Sequence, residues 1–332
     1  MNRQTVRLGG VRLRLRAIAR GSYIFWREFS HNRLAVAGVA LIVLFGLMAI
    51  SHPILMKYFW SASVYNPLTG FDPTILHPAG PSARHLLGTD NLGRDVLSML
   101  LASSGSTWML AMTAALTTAV VAVIIGAVGG YYRGWIDFSL THVSDAFLLL
   151  PAPIFLLILG TGNLIDLGPL KFGFIYGIIT GLGAGAIVLR SQALKVMAQP
   201  FVDATRVAGG RGRHIIFRHL LPHLFPLAAL YMMLAVVGAV VADGFAAFLG
   251  QTRSLVNWGT MVYYAIEFGP NFGARIPWNA LIVPAVALSL FAAAFYLVSV
   301  GLREVADPRF KAIRRQYVVR GVVCVGMRPS VP

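Results

Sequence analysis

D-A-T-R-V-A-G-G-R-G-R-H-I-I-F-R-H-L-L-P, residues 203–222, is a basic, glycine-rich stretch set between long apolar runs. The chain is 57% hydrophobic and 12% charged, whereas about a quarter of the residues of an average soluble domain are charged. A polar stretch of this length is therefore a surface where a membrane-embedded body meets water. Residues 200–207 support a short helix, ended by Gly209, Gly210 and Gly212, where the backbone can take positive φ. A second helix is predicted from about His214, with Pro222 and Pro226 marking where the chain changes direction. The unit reads as helix, flexible turn, helix along one face of the membrane. A helix of about 12 residues is only about 18 Å long, so the unit can enter a groove on a partner but cannot enclose an active site.

Outward from this stretch, a bilayer core about 30 Å thick needs roughly 20 apolar residues per helix. Candidate spans lie at 34–56, 106–130, 146–165, 172–190, 224–249 and 278–302. The expected fold is all-α, an integral membrane protein of six transmembrane helices with the basic loop between spans 4 and 5. Asn163, Asp166, Gly168 and Pro169 interrupt what would otherwise be one run through spans 3 and 4. Twenty-two Lys and Arg fall on the side of the N-terminal segment, the 2/3 loop, the 4/5 loop and the tail, against six on the other side. Cytoplasmic segments near spans carry this excess, so both termini and the 203–222 stretch are expected in the cytosol. The division is 1–33 as a basic cytoplasmic tail with an interfacial helix, 34–56 as the first span and 57–95 as an external loop. The core domain is 96–305, with its cytoplasmic loop at 191–223, and 306–332 is a second cytoplasmic tail.

The first apolar run is longer than a signal-peptide core and is preceded by about 33 residues, which argues for a span. Tyr23-Ile24-Phe25-Trp26 beside Arg20 and Arg27 reads as an interfacial helix with aromatic anchors. The net charge of +16 sits at the ends of apolar runs rather than on a folded basic face, which argues against nucleic acid as a partner. The single cysteine, Cys324, excludes a disulfide framework or thiolate cluster within the chain. G-x-x-x-x-G-K-[ST] does not occur, so this chain has no phosphate loop for ATP. His219 and His223 have the spacing of zinc-protease ligands, but Leu220, Leu221 and Pro222 between them supply no glutamate base. No resident metal or cofactor is expected.

The external loop ends in G-T-D-N-L-G-R-D, residues 88–95. There Thr89 or Asp90 can N-cap the helix into span 2, and Arg94, four residues on, can form a surface ion pair with Asp90. A carboxylate at the bilayer centre costs roughly 2.5 to 3.5 kcal/mol on insertion scales, which draws attention to Asp145, Asp166 and Asp243. Asp145 falls at the start of span 3, and Asp243 lies in the outer third of span 5. Helix capping or an interhelical hydrogen bond is the expected use of both, and Asp243 is in addition a candidate to line an outer gate. Pro151, Pro153 and Pro284 are expected to kink spans 3 and 6. A secondary transporter would call for inverted repeats and ionisable groups at the midplane, and an intramembrane enzyme for a nucleophile with a base or ligand set. The sequence supplies neither.

The spacing of Asp203-Ala204, Gly209 and Leu221-Pro222 resembles the EAA motif of ABC-importer permeases, and I-I-F-R-H-L-L-P at 215–222 resembles its form in the dipeptide/oligopeptide/nickel branch. The resemblance extends to H-L-L-G-T-D-N-L-G-R-D-V-L-S at 85–98, G-G-Y-Y-R-G-W-I-D at 129–137, F-L-G at 248–250, W-G-T-M at 258–261 and G-L-R-E-V-A-D-P-R-F at 301–310. It runs from about residue 23 to 310, and the long stretch before span 2 is similar to the C-type of the two permease subunits. It implies a non-catalytic subunit of a bacterial or archaeal cell membrane that pairs with a homologous permease. Two ATP-binding subunits that hold ATP and Mg, and an external substrate-binding protein, complete the implied assembly. Di- or oligopeptides are the implied cargo, with nickel or another small solute as the alternative. The coupling contact with the ATPases falls on Asp203, Ala204, Thr205, Gly209, Arg211, Arg213, Phe217, Arg218, Leu221 and Pro222. The motif at the entry to span 2 comprises Gly88, Thr89, Asp90, Gly93, Arg94 and Asp95. Asp203 stands for the usual glutamate, Thr205 for the second alanine, and Gly209-Gly210-Arg211 for the usual Gly-Ala-Ser. Arg211 and Arg213 are expected to meet an acidic rim on the ATPase.

Overall fold

The computed structural model describes residues 26–27, 29–161, 168–249, 256–268 and 277–306. Tyr23, Ile24 and Phe25 of the expected interfacial helix, Asp166, Gly250 and the tail with Cys324 lie outside the described residues. Among the described residues the elements are helical. Besides one turn at Ala62–Tyr65, they are α1 (Arg33–Tyr58), α2 (Val96–Tyr132), α3 (Trp135–Leu149), α4 (Ala152–Thr161), α5 (Pro169–Met197), α6 (Pro200–Val207), α7 (Gly212–Phe248), α8 (Trp258–Glu267) and α9 (Trp278–Ala306). Five of these, α1, α2, α5, α7 and α9, are long and apolar enough to cross a membrane.

The sequence explains most boundaries. Asn32 caps α1 by accepting from the amides of Leu34 at 2.9 Å and Ala35 at 3.1 Å. Helix α2 begins ten residues before the expected span because Asp95 caps it, accepting from the Ser98 amide at 2.7 Å. At 37 residues α2 is about 55 Å long and outreaches the hydrocarbon core at its ends. The expected third span at 146–165 is instead α3 and α4, parted at Leu150 and Pro151. Proline drives its preceding residue out of the α region, and Leu150 takes φ −75°, ψ 116°. Pro284 lies inside α9, which continues through it. Pro222 and Pro226 do not turn the chain as expected: α7 runs through both. Residues Ile216–Leu220 widen into a π turn in which the Leu221 amide reaches the Ile216 carbonyl, placing Pro222 directly after the altered ladder.

Close backbone approach organises the bundle. Gly173, Gly177, Gly181 and Gly185 of α5 line up at intervals of four and face Leu110, Ala114, Thr117, Thr118, Val121 and Ala122 of α2. Further along, Gly126 and Gly130 of α2 face Leu189 and Ala193 of α5. Residue numbers rise together on both helices, so α2 and α5 run parallel. Small residues let two helices meet closely where lipid offers no hydrophobic drive to associate. Helix α7 runs antiparallel to α2, with Leu224 in the cluster of Ala127 and Ala228 in that of Ala122. Helix α9 runs antiparallel to α1: Gly38 meets Ala294 and Val298, and Gly301 meets Ala35. An aromatic group of Phe45, Trp108, Trp258, Phe291 and Phe295 locks α1, α2, α8 and α9 together, with Phe45 and Phe291 edge to face at 5.2 Å. Within α2, Ser103, Ser104 and Thr107 donate to carbonyls four residues back. Helix α1 is the least covered of the five, with Val43, Leu44, Leu47, Ile50 and Ile54 exposed on a face suited to lipid.

Candidate functional site

The 200–222 segment is built as a short helix clipped to the bundle at one point. Pro200 opens α6, where its missing N–H is no loss. Val202 is fully buried in a cluster with Ile215, Leu220, Leu224, Ala127, Ala193, Val196 and Met197. The rest of α6 faces outward: Asp203 and Ala204 are exposed, and Val207 is 90% exposed. The turn expected to be flexible is closed by hydrogen bonds. Gly209 takes φ 82°, its amide bonds the Arg206 carbonyl, and the Gly210 amide bonds the Thr205 carbonyl at 2.9 Å. These are the two bonds of a helix-ending Schellman turn, and positive φ is the reason glycine stands at 209.

Arg211, Arg213, Phe217, Arg218 and Pro222 are exposed beside α6, with Phe217 at 71%. Leu221 is turned half inward onto the Val202 cluster. Thr205 is half-buried, and its hydroxyl donates to the Phe201 carbonyl at 2.8 Å. Asp203 pairs with Arg206 at 3.2 Å in the open, a contact weak enough to yield to a partner. The rings of His219 and His223 pack on Phe201. The segment thus offers an anchored, exposed face carrying one carboxylate, an arginine cluster and two large apolar side chains.

The motif before α2 is a fastening rather than a simple helix start. Asp95, not Thr89 or Asp90, is the cap. The Asp90–Arg94 pair, expected at the surface, is buried, with Nη2 to Oδ2 at 2.6 Å and the guanidinium 4.4 Å from the Tyr264 ring centre of α8. Asp90 also accepts from the amides of Leu92 and Arg94, so its carboxylate closes the turn. Gly88 and Gly93 both take positive φ, which lets the chain fold back tightly here. Thr89 accepts from the Ala79 amide and bonds the His77 ring at 2.9 Å. His85 lies buried between two carboxylates, Nδ1 to Asp95 at 2.8 Å and Nε2 to Asp72 at 3.2 Å. Two hydrogen bonds from Thr74 hold the Asp72 carboxyl well below the usual range, while burial pushes that of Asp95 up.

Asp243 in α7 accepts from the Asn257 side chain at 3.0 Å. Asn257 in turn caps α8, its carbonyl oxygen accepting from the Thr260 amide at 2.7 Å. The expected interhelical hydrogen bond is therefore present and ties α7 to the start of α8. Asp145 caps nothing: it sits exposed within α3, because that helix begins ten residues before it. Sequence reasoning missed Asp72, His85 and the pair of Asp137 with Arg190. The last joins α3 to α5, with Nη2 to Oδ2 at 2.6 Å and Nε bonded to Oδ1. Only the glycine ladder had a readable signal, its period of four.

The transport family described as binding-protein-dependent transport system inner membrane component matches residues 122–312, more than half of the chain. The N-terminal transmembrane domain of oligopeptide transport permease C matches residues 22–69. The chain is 29% identical over 297 residues to the oligopeptide transport system permease protein OppC of Mycobacterium tuberculosis (strain ATCC 25618 / H37Rv), covering 87% of this chain and 95% of the relative. It is 28% identical over 301 residues to OppC of Bacillus subtilis (strain 168), covering 89% and 93%. With the dipeptide transport system permease protein DppC of Alkalihalophilus pseudofirmus it shares 28% identity over 296 residues, covering 86% and 91%. The chain belongs to the family of binding-protein-dependent transport system inner membrane components, the multi-pass permeases of ABC transport systems. Within that family it is similar to the C-type permeases of the oligopeptide and dipeptide branch.

Proposed function

We propose that the chain forms one half of the pathway of an ATP-driven importer of di- or oligopeptides. The observation that carries this reading is the 200–222 segment: a helix clipped on by Val202, presenting an exposed charged and apolar face, and joined by short turns to α5 and α7. A rigid-body displacement of α6 has no loose chain in which to dissipate. Closure of two ATP-binding subunits around ATP and Mg moves α6, and the membrane halves swing between inward-open and outward-open states. Asp203, Ala204, Thr205, Gly209, Arg211, Arg213, Phe217, Arg218 and Pro222 form the contact, and the half-buried Leu221 carries it into the bundle. No bond in the cargo changes in this chain. The names of the relatives support peptide as cargo. A homologous permease completes the pathway, and an external binding protein delivers the peptide.

In this reading the protein sits in a bacterial or archaeal cell membrane, crosses it six times, and keeps both termini and the 200–222 segment in the cytosol. The parallel packing of α2 and α5 supports six crossings, with α3 and α4 supplying the third. Asp243, through Asn257, latches α8 to α7 on the outer side, which supports a place for it at the outer gate.

The test is Asp203→Lys, which reverses the exposed charge, and Gly209→Leu, which puts a side chain on a left-handed residue at a cost of roughly 1–2 kcal/mol. Uptake is expected to be lost in both, with membrane insertion intact. Full transport in both overturns the reading. Purification of the complex in mild detergent should bring down two ATP-binding subunits and a second permease.

A further inference from the structure

Helix α3 is poorly held by its own chain. Of its 15 residues only Ser144 is buried, and Trp135 and Leu149 at its ends are each 82% exposed. Among its contacts with α5, two stand out. At its far end Phe147 and Leu148 press against Gly183, where a Cβ would lie 3.2 Å from the Leu148 amide nitrogen. At its near end Asp137 takes both donors of the Arg190 guanidinium. Gly129 of α2 leaves the room: a Cβ there would stand 3.3 Å from the Asp137 carboxylate and 3.5 Å from Arg190 Cδ.

One contact lies at a weak point of α5 and the other beyond it. Gly181–Gly185 of α5 is a π segment in which Gly183 leaves helical geometry, at φ −78° and ψ −112°. Such widened turns are places where a helix bends. Beyond it, residues 186–197 form a regular helix that carries Arg190 and runs, through Ala198 and Gln199 alone, into α6. From Arg190 to the end of that helix is about 10 Å of rigid rod, at about 1.5 Å per residue. If the lower rod swings about the π segment along its glycine contacts with α2, the Gly183 contact stays at the pivot and the ionic pair moves with the rod. A two-point guanidinium–carboxylate contact fixes orientation as well as distance. Its side chains are 27% and 17% exposed, so it is screened less than a surface pair.

We propose that Asp137–Arg190 is the strut by which movement of the 200–222 segment reaches α3 and the break at Leu150–Pro151. Asp137 and Arg190 are positioning residues here, and the proposal rests on the coupling reading above. The strut turns a displacement at the membrane surface into a tilt of a helix with one buried residue among its 15.

The experiment uses the assembled transporter in liposomes, with Cys324 replaced by Ala and a reporter Leu149→Cys at the exposed end of α3. Maleimide labelling of the reporter is compared without nucleotide and after trapping with ATP and vanadate, alongside ATP hydrolysis in the same vesicles. The parent protein should show a several-fold change in labelling rate on trapping. Asp137→Asn and Arg190→Gln should each abolish that change while hydrolysis continues. The reversal, Asp137→Arg with Arg190→Asp, should restore most of it; recovery is partial because an arginine in the first turn of α3 opposes the helix dipole. A parent protein without the change, or single variants that keep it, overturns the strut. Parallel loss of hydrolysis and labelling change in the single variants, not mended by the reversal, or failure of all variants to assemble, identifies a plain stabilising contact and equally overturns it. The Asp203→Lys control separates the two readings: if it transports normally, coupling through α6 fails, whereas a failed strut leaves the Asp203 effect in place.

Discussion

At the scale of single residues, the outer loop shows how charge holds irregular chain in place. Asp72 and Asp95 lie 23 positions apart, and no local spacing could have announced that His85 would bridge them. The Asp90–Arg94 spacing was legible, yet its burial and its stacking on Tyr264 were not, because Tyr264 arrives from α8. The opposed carboxyl shifts set a pH dependence. The folded pKa of Asp72 is depressed, so its contribution is present above the ordinary carboxylate value near about 4 and is lost as pH falls below it. That of Asp95 is raised, so its smaller contribution runs the other way, present in acid and lost as pH rises. Asp72, whose depression is large, sets the balance: the loop should be tight at neutral pH and loosen in acid. Limited proteolysis near Leu76, which is 94% exposed, should accelerate below about pH 4. Asp72→Asn should give fast cleavage already at neutral pH with little further acid response. Cleavage that ignores both acid and the substitution would count against the bridge.

Among the elements, α5 and α7 show what an apolar pattern reveals and what it hides. Hydropathy located both helices, and α6 was read to the residue because a proline opens it and glycines close it. Hydropathy carries no information on a slip from one hydrogen-bond register to another, so neither π segment was foreseen, and Pro222 was taken for a corner. The broken third span was half legible: Pro151 predicted a kink, and the structure has a full break. The glycine ladder of α5 makes a quantitative demand. A Cβ on Gly177 would stand 2.6 Å from Thr117 Cβ and 2.8 Å from the Ala114 carbonyl oxygen, both on the parallel helix α2. Backbone cannot yield as a side-chain tip can. Gly177→Leu should therefore destabilise the protein by roughly 1–3 kcal/mol, the usual range for overpacking. Thermal unfolding in detergent would register this, while the same change at Gly105, with open space around it, should be nearly neutral. Equal losses at both positions would contradict close packing of α2 on α5.

At the scale of the whole molecule, the number of crossings follows from direction rather than from length alone. Five helices meet a length criterion, but α2 and α5 are parallel neighbours, so the chain between them has to return across their full height. Helices α3 and α4 together span residues 135–161, which at about 1.5 Å per residue is enough for a hydrocarbon core about 30 Å thick. If that stretch crosses, the 200–222 segment lies on the side opposite the 59–95 loop; if it does not, the two share a side. Charge argues for the first, since the alternative would leave the arginine-rich loop outside. Single cysteines decide it in intact cells, on a background with Cys324 replaced by Ala. Leu76→Cys, 94% exposed, should react with an impermeant maleimide added outside, and Val207→Cys, 90% exposed, should react only after the membrane is opened. Labelling of both from outside would remove the third crossing. The α6 surface would then lie on the side away from ATP, and the coupling proposal would fall with the topology that supports it.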